Sequence, residues 1–138
     1  VYPSGIGQCL INANKFDLKN LRLFYDDAVD VLNKQIANES LDVINIFFPD
    51  PWPKKRHHKR RLISEDFISL IESKLKPKGL VHICTDWVDY AYDINVLFKS
   101  IKEFKPVEEL PRRLQTKFEK KGLALGHSVY EFAFQLLR

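Results

Sequence analysis

LDVINIFFPDPWP, residues 41–53, carries the clearest signal of fold class in this chain. Leu41–Phe48 is an almost continuous run of apolar, β-branched and aromatic residues, which is typical of a strand buried on both faces of a parallel sheet. The prolines at positions 49, 51 and 53 then end the strand, because proline lacks the N–H donor that helices and sheet ladders use. The stretch therefore predicts a buried strand that stops at a rigid turn.

Strands and helices alternate along the rest of the chain. The predicted elements are, in chain order, a helix Ser4–Phe16, a short strand Leu21–Tyr25, a helix Ala28–Ile36, the strand Leu41–Phe48, a helix that Ser64 caps and Pro77–Gly79 stops, a buried strand Leu80–Cys84, a helix from Trp87 to Ile101, and a strand from Ser128 onward near the sheet edge. This order, with short connections, predicts an α/β domain with a mainly parallel sheet. Neither a repeat nor a low-complexity linker interrupts residues 1–138, so we expect one domain.

The composition is that of an ordinary folded protein. Of the 138 residues, 45% are hydrophobic and 29% are charged. No apolar run approaches the roughly 18 residues that a membrane-spanning helix requires, so we expect no membrane partner. Cys9 and Cys84 are too few and too far apart for a disulfide framework or a closely spaced metal site. We therefore expect buried thiols, no metal and a cytoplasmic location.

Positive charge is concentrated in residues 54–61, KKRHHKRR. The formal net charge is +4, and this run holds six permanently basic side chains, so the other 130 residues carry −2 (+4 less 6). A second concentration, RRLQTKFEKK at residues 112–121, has five basic residues against one acidic residue. Local basic patches of this kind indicate a partner with a phosphate backbone. A solvated basic loop or a nuclear-localisation-like run is the alternative.

The Asp-Pro-Trp-Pro turn at residues 50–53 is a candidate binding site. Its prolines fix the backbone, so that Asp50 and Trp52 are held in place without a helix or a sheet. A carboxylate, an aromatic face and neighbouring cations match a nucleobase, because the carboxylate can accept from guanine N1–H and N2–H₂ while the cations neutralise phosphates. Trp52 could instead be a core residue, and His57 and His58 could be solvated loop residues; we assign them no metal.

Acidic residues stand at three predicted strand ends, namely Asp26 or Asp27, Asp50 and Asp86. Ligands of α/β sheets bind outside the carboxyl ends of the strands, so we expect these carboxylates to share a crevice. Asp27 and Asp86 could each be only a helix cap. Asp50 lies between two prolines and cannot start an ordinary helix.

Three motifs carry a resemblance to a known family. FPDPWPKKRHHKRR at residues 48–61, TDW at 85–87 and TKFEKKG at 116–122, followed by Gly126-His127, resemble the bacterial tRNA (guanine-N7-)-methyltransferase family in its motif order. The resemblance runs from about Val1 to Arg138. It implies a Rossmann-like class I methyltransferase fold, a seven-stranded and mainly parallel sheet with an antiparallel C-terminal strand. It also implies methyl transfer from S-adenosylmethionine to N7 of a guanine in the variable loop of tRNA.

The resemblance also implies roles for single residues. Asp50 matches the active-site carboxylate beside the cofactor, and Asp27 also lines the cofactor pocket. The positions that match substrate-binding residues are Lys54, Asp86, Thr116, Lys117, Phe118 and Glu119, and those expected to contact RNA are Arg56, His57, His58, Lys59, Arg60 and Arg61. Guanine N7 already has an in-plane lone pair, so no general base is needed. We therefore expect Asp50 to orient the reactants and not to abstract a proton.

The chain departs from the family pattern at its start. The family's first strand and Gly-rich cofactor turn lie upstream of the position that corresponds to Val1. Gly5-Ile6-Gly7 does not replace the turn, because Leu10 stands where a third glycine would fall. The first strand is central in the family's sheet, so its absence would leave the strands at Leu21 and Leu41 separated, with unpaired edges. We expect these 138 residues alone to be unstable or inactive and to bind S-adenosylmethionine poorly.

Two other functions fit parts of the pattern. Methyltransferases that act on exocyclic base nitrogens use an Asp/Asn-Pro-Pro-aromatic turn at the same strand end, but here the aromatic falls one position early. An RNA-binding module without catalytic activity would keep only the basic run. The sequence leaves open which tRNAs are modified and whether the protein is a monomer or a homodimer.

Overall fold

A computed structural model describes residues 3–138 of the chain. These residues form α1 (Pro3–Lys15), α2 (Ala28–Gln35), β1 (Leu41–Phe47), a 3₁₀-helix (Lys55–Arg60), α3 (Glu65–Lys74), β2 (Leu75–Thr85), α4 (Val88–Ser100), β3 (Phe104–Pro106), α5 (Lys117–Ala124) and β4 (Tyr130–Leu136). They divide into two compact units, with the boundary between Ile36 and Ala37. No helix within residues 3–138 combines the length and the apolar character needed to cross a bilayer.

The first unit contains α1 and α2, and both predicted helices are confirmed. Asp27 is the N-cap of α2, where its Oδ1 accepts hydrogen bonds from the N–H groups of Val29 and Asp30. The predicted strand Leu21–Tyr25 is wrong, because this segment is irregular and exposed. A β-strand needs a hydrogen-bonded neighbour, and none pairs with this segment within residues 3–138.

The second unit is built on a four-stranded sheet of order β1-β2-β4-β3. β1 runs parallel to β2, whereas β4 is antiparallel to both β2 and β3. Three strands therefore share one direction and the C-terminal strand opposes them, which confirms the predicted mainly parallel α/β sheet. β4 is the second strand from one edge of the sheet, which agrees with its predicted position near the edge. The edge is β3, which is only three residues long and gives no periodic signal in the sequence.

β2 and the helices α3 and α4 form most of the core. The buried faces of the helices include Phe67, Ile68 and Ile71 on α3 and Tyr90, Ala91, Ile94 and Phe98 on α4, as their helical spacing predicts. The Phe98 ring stacks on Phe134 of β4 at a centroid distance of 4.0 Å. It also meets Phe104 of β3 edge-on at 5.5 Å. These aromatic contacts seat α4 on one face of the sheet.

β1 is less buried than its apolar sequence predicts. Ile46 is its one buried residue, and Val43 is 44% exposed. The prediction of burial on both faces is therefore wrong. β1 pairs with β2 on one side and forms the sheet edge on the other, as far as residues 3–138 show, so its side chains lack the neighbours that a second flanking strand would provide.

The junction between α3 and β2 also differs from the prediction. α3 ends at Lys74 and β2 begins at Leu75, so Pro77–Gly79 lies within the strand and does not stop the helix. The register against β1 shifts between Leu41 and Val43, a bulge at which proline is tolerated in a strand. A Cβ atom on Gly79 would lie 2.9 Å from the Lys76 carbonyl oxygen, a backbone atom that cannot easily move away, so this close approach requires glycine.

Candidate functional site

The turn after β1 holds Asp50 at the carboxyl end of the sheet. The Phe48 N–H donates to the Cys84 carbonyl at 2.8 Å, the last link between this chain segment and β2. Two non-glycine residues then bracket the turn in the left-handed region, Phe48 at φ 53° and Trp52 at φ 43°. Such conformations cost on the order of 1–3 kcal/mol each and persist only where the surroundings impose them.

The Asp50 carboxylate is exposed and only partly engaged. Its Oδ1 accepts a hydrogen bond of 2.9 Å from the Trp52 N–H. Its Oδ2 makes no hydrogen bond within residues 3–138. One oxygen therefore shapes the turn, and the other remains open to a ligand.

Arg61 connects the same turn to α4. Its Nε donates to the Pro51 carbonyl at 2.7 Å, and its two terminal nitrogens donate to Asp89 at 2.8 Å and to Asp93 at 2.5 Å. Its side chain is only 4% exposed. The RNA contact predicted at Arg61 is therefore corrected, because the guanidinium is buried and used within the protein.

The remainder of the basic run forms an exposed cationic surface. The predicted loop is instead a 3₁₀-helix, and its N-cap residue Lys54 extends the surface. We call this surface, made of Lys54, Lys55, Arg56, Lys59 and Arg60, the basic face. All five side chains are exposed and none makes an ion pair within residues 3–138. Free cations of this kind can neutralise phosphates.

Trp52 connects the turn to the basic face. The Arg60 guanidinium lies 5.1 Å from the centre of the Trp52 ring, within the range of a cation–π contact. His57 meets the same ring edge-on at 5.8 Å. Both Trp52 and His57 are half-buried, as is His58, whose Nε2 lies 3.5 Å from Asp89. Trp52 is thus a partly exposed aromatic side chain beside the basic face and not a core residue.

Asp86 follows β2 at the same end of the sheet as Asp50. β1 and β2 are adjacent, with Phe47 in register with Cys84, so Asp50 and Asp86 follow neighbouring strand ends as predicted. Asp86 is not the cap of α4, because the N-cap is Trp87. Its carboxylate lies 3.5 Å from His127 Nδ1, a distance at the limit of an ion pair.

The segment Thr116–Glu119 opens a helix that the sequence interpretation missed. Thr116 Oγ1 accepts from the Glu119 N–H at 3.0 Å, and Glu119 Oε2 accepts from the Thr116 N–H at 3.2 Å. This reciprocal pair is a capping box, and its Thr-x-x-Glu spacing was the available signal for α5. Lys117 and Phe118 are exposed between the two capping residues, and the Phe118 ring lies 5.3 Å from Phe48. The contact brings this segment to the Asp50 turn.

A buried polar network fixes α5 to the sheet. Arg113 donates to both oxygens of Glu119 at 2.6 and 2.8 Å, and to both oxygens of Glu131 on β4 at 3.0 Å. His82 of β2 completes the network through its Nε2, 2.6 Å from Glu131 Oε1. The sequence interpretation missed Arg113, Glu131 and His82, because their pairing joins distant parts of the chain.

The network shifts the pKa values of its members. The hydrogen bonds from Arg113 lower the pKa of the Glu119 carboxyl against the opposing effect of burial. Burial alone would raise the pKa of Glu131, but hydrogen bonds from Arg113 and His82 lower it below its ordinary value. Burial raises the pKa of the nearby Cys84 thiol to about 11, so it is protonated at neutral pH. The lowered pKa values keep the carboxylates of Glu119 and Glu131 charged at neutral pH, and these two charges compensate the charge of Arg113.

Two groups of side chains have donor atoms close enough to hold a metal ion. They are His82, Cys84 and Glu131, and His58, Asp89 and Asp93. Arg113 already occupies the first group through Glu131, and Arg61 occupies the second through both aspartates. Each arginine supplies the positive charge that a metal would bring, so we propose no metal at either group.

The arrangement of strands and helices defines the fold class of this protein. Two solved structures share the fold, a SAM-dependent O-methyltransferase from Thermotoga maritima and a tRNA (m1A58) methyltransferase from Aquifex aeolicus, each with a TM-score of 0.54. They are 14% and 15% identical to this chain and cover 92% and 94% of it, which corresponds to 44% and 48% of their own chains. The fold is thus that of SAM-dependent methyltransferases.

The family follows from the sequence itself. A family profile described as "Putative methyltransferase" matches residues 1–132, and the chain belongs to this methyltransferase family. Proteins named tRNA (guanine-N(7)-)-methyltransferase are similar to it: that of Nitrosomonas europaea is 48% identical over 97% of this chain, and that of Nitrosococcus oceani is 44% identical over 98%. The chain spans 62% and 58% of the length of these two relatives. These matches confirm the resemblance of the sequence motifs to the tRNA (guanine-N7-)-methyltransferase family.

Proposed function

We propose that the protein transfers a methyl group from S-adenosylmethionine to N7 of a guanine in the variable loop of tRNA. The observation that carries the proposal is the Asp50–Trp52 turn, which is held in a strained geometry beside the basic face. The names of the relatives support tRNA as the substrate. Such a substrate places the protein in the cytoplasm.

We infer that Asp50 contributes to the cofactor site. Its open Oδ2 lies at the carboxyl end of the sheet, where ligands of such folds bind, and a carboxylate suits a cofactor that carries a sulfonium and an ammonium group. Asp27, to which the resemblance assigns a cofactor contact, retains within its own unit one oxygen that is not used in capping α2. S-adenosylmethionine, when bound, supplies an electrophilic methyl group on its sulfonium.

We propose that the substrate guanine is positioned by the residues around the turn. Guanine N7 carries its own in-plane lone pair, so alignment is the main requirement and no group of the protein needs to remove a proton. Trp52 and Phe118 offer aromatic faces, while Lys54, Asp86, Thr116 and Lys117 offer polar groups at this end of the sheet.

Glu119 has a supporting role in this proposal. It is 5% exposed, and both of its oxygens already accept hydrogen bonds from Arg113. We therefore infer that it shapes the segment whose exposed members, Lys117 and Phe118, face the substrate.

The basic face would bind the tRNA backbone. The cations are exposed and make no ion pair within residues 3–138, and each neutralised phosphate would release counterions; they are Lys54, Lys55, Arg56, Lys59 and Arg60. His57 and His58 lie on the same 3₁₀-helix and add hydrogen-bonding groups.

The test is methylation of tRNA by the full-length protein with Asp50→Ala. We expect the turnover number to fall by roughly a hundredfold or more, because the carboxylate orients reactants, with tRNA affinity nearly unchanged. Asp42→Asn is the matched control, since Asp42 is an exposed carboxylate on β1 that pairs with Lys76. Turnover retained in Asp50→Ala would show that the carboxylate is structural.

The position of the methyl group tests the alternatives. We expect it at guanine N7, which chemical cleavage at 7-methylguanine detects. A methyl group on an exocyclic amine would instead assign the protein to the amino-methyltransferases. Binding of tRNA with no methyl transfer in the presence of S-adenosylmethionine would support an RNA-binding module.

A further inference from the structure

Arg61 differs from every other permanent cation of the basic run. Its side chain is 4% exposed, whereas the five residues of the basic face are exposed. Its guanidinium also lies 4.7 Å from the centre of the Tyr90 ring. The Tyr90 hydroxyl in turn accepts a hydrogen bond from the Ile63 N–H at 3.1 Å. Arg61 is thus part of the packed interior behind the site.

The contact with Pro51 reaches the turn itself. Pro51 joins Asp50 to Trp52 and has no N–H, so its carbonyl is its only polar backbone group. Arg61 Nε donates to that carbonyl at 2.7 Å. The contact therefore restrains the Pro51–Trp52 peptide unit. This unit lies between the exposed Asp50 carboxylate and Trp52, whose backbone is in the left-handed region.

The other end of Arg61 is fixed on α4. Asp89 and Asp93 are four residues apart and lie on the same side of the helix, where both carboxylates reach the guanidinium. The hydrogen bond from Arg61 lowers the pKa of Asp89, so its charge persists in weak acid. The planar guanidinium can satisfy Pro51, Asp89 and Asp93 together, which a lysine ammonium on its flexible stem cannot do.

We propose that Arg61 is a positioning residue for Asp50. It holds the Asp-Pro-Trp-Pro turn against α4 so that the Asp50 carboxylate and the Trp52 ring keep their orientation, and it makes no contact with RNA. This inference rests on the proposed role of Asp50 in methyl transfer.

The test compares Arg61→Lys with Arg56→Ala in the full-length protein. Arg61→Lys keeps the charge, so we expect an unchanged tRNA dissociation constant and an unchanged salt dependence. We expect its turnover number to fall by roughly tenfold or more, because the turn loses its fixed geometry. Arg56→Ala should show the opposite effect on binding, with weaker and less salt-dependent tRNA binding, because one phosphate contact is lost.

Each outcome decides the assignment. Wild-type turnover in Arg61→Lys, or a loss of tRNA affinity like that of Arg56→Ala, would overturn the positioning role. If Arg61→Lys does not fold, Asp89→Asn is measured instead, because it weakens the ion pair between Arg61 and the exposed Asp89. We expect it to lower turnover a few-fold without weakening tRNA binding, and unchanged turnover would overturn the proposal. Asp50→Ala is measured in parallel to separate the role of Asp50 from that of Arg61. If Asp50→Ala stays active, the proposed role of Asp50 in methyl transfer is wrong, whatever the result for Arg61→Lys.

Discussion

Arg113 and the buried Glu119 form a bidentate ion pair, with hydrogen bonds of 2.6 and 2.8 Å between the guanidinium and both carboxylate oxygens. The same carboxylate closes the capping box at Thr116. One side chain therefore completes the first turn of α5 and also joins it, through Arg113, to Glu131 on β4. The position of the exposed Lys117 and Phe118 depends on this pair.

Replacing Arg113 by Met should destabilise the protein by about 3 kcal/mol, because it leaves two carboxylates without their cation, one of them buried. Urea unfolding of the full-length protein measures the change. Arg112→Met is the matched control, since its exposed side chain makes no ion pair within residues 3–138, and its free energy of unfolding should change by less than about 0.5 kcal/mol. Equal effects of the two variants would contradict the role of Arg113.

The network also predicts how stability depends on pH. The pKa values of Glu119 and Glu131 are lowered in the folded protein, so the unfolded chain takes up protons on these groups at a higher pH. Their contribution to stability is therefore complete above the ordinary glutamate pKa of about 4.3 and is lost as the pH falls below it.

Urea unfolding at a series of pH values between neutrality and acid checks this dependence. Arg113→Met should show a shallower fall in the free energy of unfolding, because the lowered pKa values depend on Arg113. Parallel curves for the wild type and the variant would mean that other groups govern the acid transition.

The two cysteines should differ sharply in reactivity. Cys9 is exposed on α1, so the expectation of two buried thiols is wrong for it, whereas Cys84 is fully buried on β2 and has its thiol pKa raised to about 11. Because the thiolate is the reactive form, a maleimide reagent should label Cys9 rapidly and leave Cys84 unlabelled in the folded protein. Cys9→Ser should abolish the rapid phase, and rapid labelling that persists in this variant would contradict the burial of Cys84.

The basic face should determine the salt dependence of tRNA binding. Removing Lys59 by Lys59→Ala should reduce the slope of log K against log salt concentration by about 1, because one phosphate contact is lost. Lys99→Ala removes an exposed lysine at the far end of α4 and should leave the slope unchanged. If the slope for Lys59→Ala equals that of the wild type, the interpretation of the basic run as a solvated loop is supported instead.

Local patterns predicted much of the fold. Ser64 caps α3 through its side chain, and the apolar spacing along α3 and α4 matches their buried faces. The strand at Leu41 and the C-terminal strand were also predicted correctly. These elements are determined by neighbouring residues, which a sequence displays directly.

Pairing across the chain could not be predicted in this way. The segment Leu21–Tyr25 has strand-like residues but no partner strand within residues 3–138. Arg61 resembles its basic neighbours in sequence, yet its carboxylate partners lie 28 and 32 residues further on. For the site, the motifs identified the turn and the TKFE segment, whereas the network that joins that segment to the sheet required the structure.

The two aspartates that bind Arg61 also change the electrostatic field around the basic run. Its six permanent cations stand beside the carboxylates of Asp89 and Asp93, so the cluster as a whole carries +4 and not +6. The negative charge lies on the α4 side, and the free cations lie on the exposed side of the 3₁₀-helix. An approaching polyanion should therefore be steered to that exposed side and kept away from α4, which gives its encounter with the protein a preferred direction.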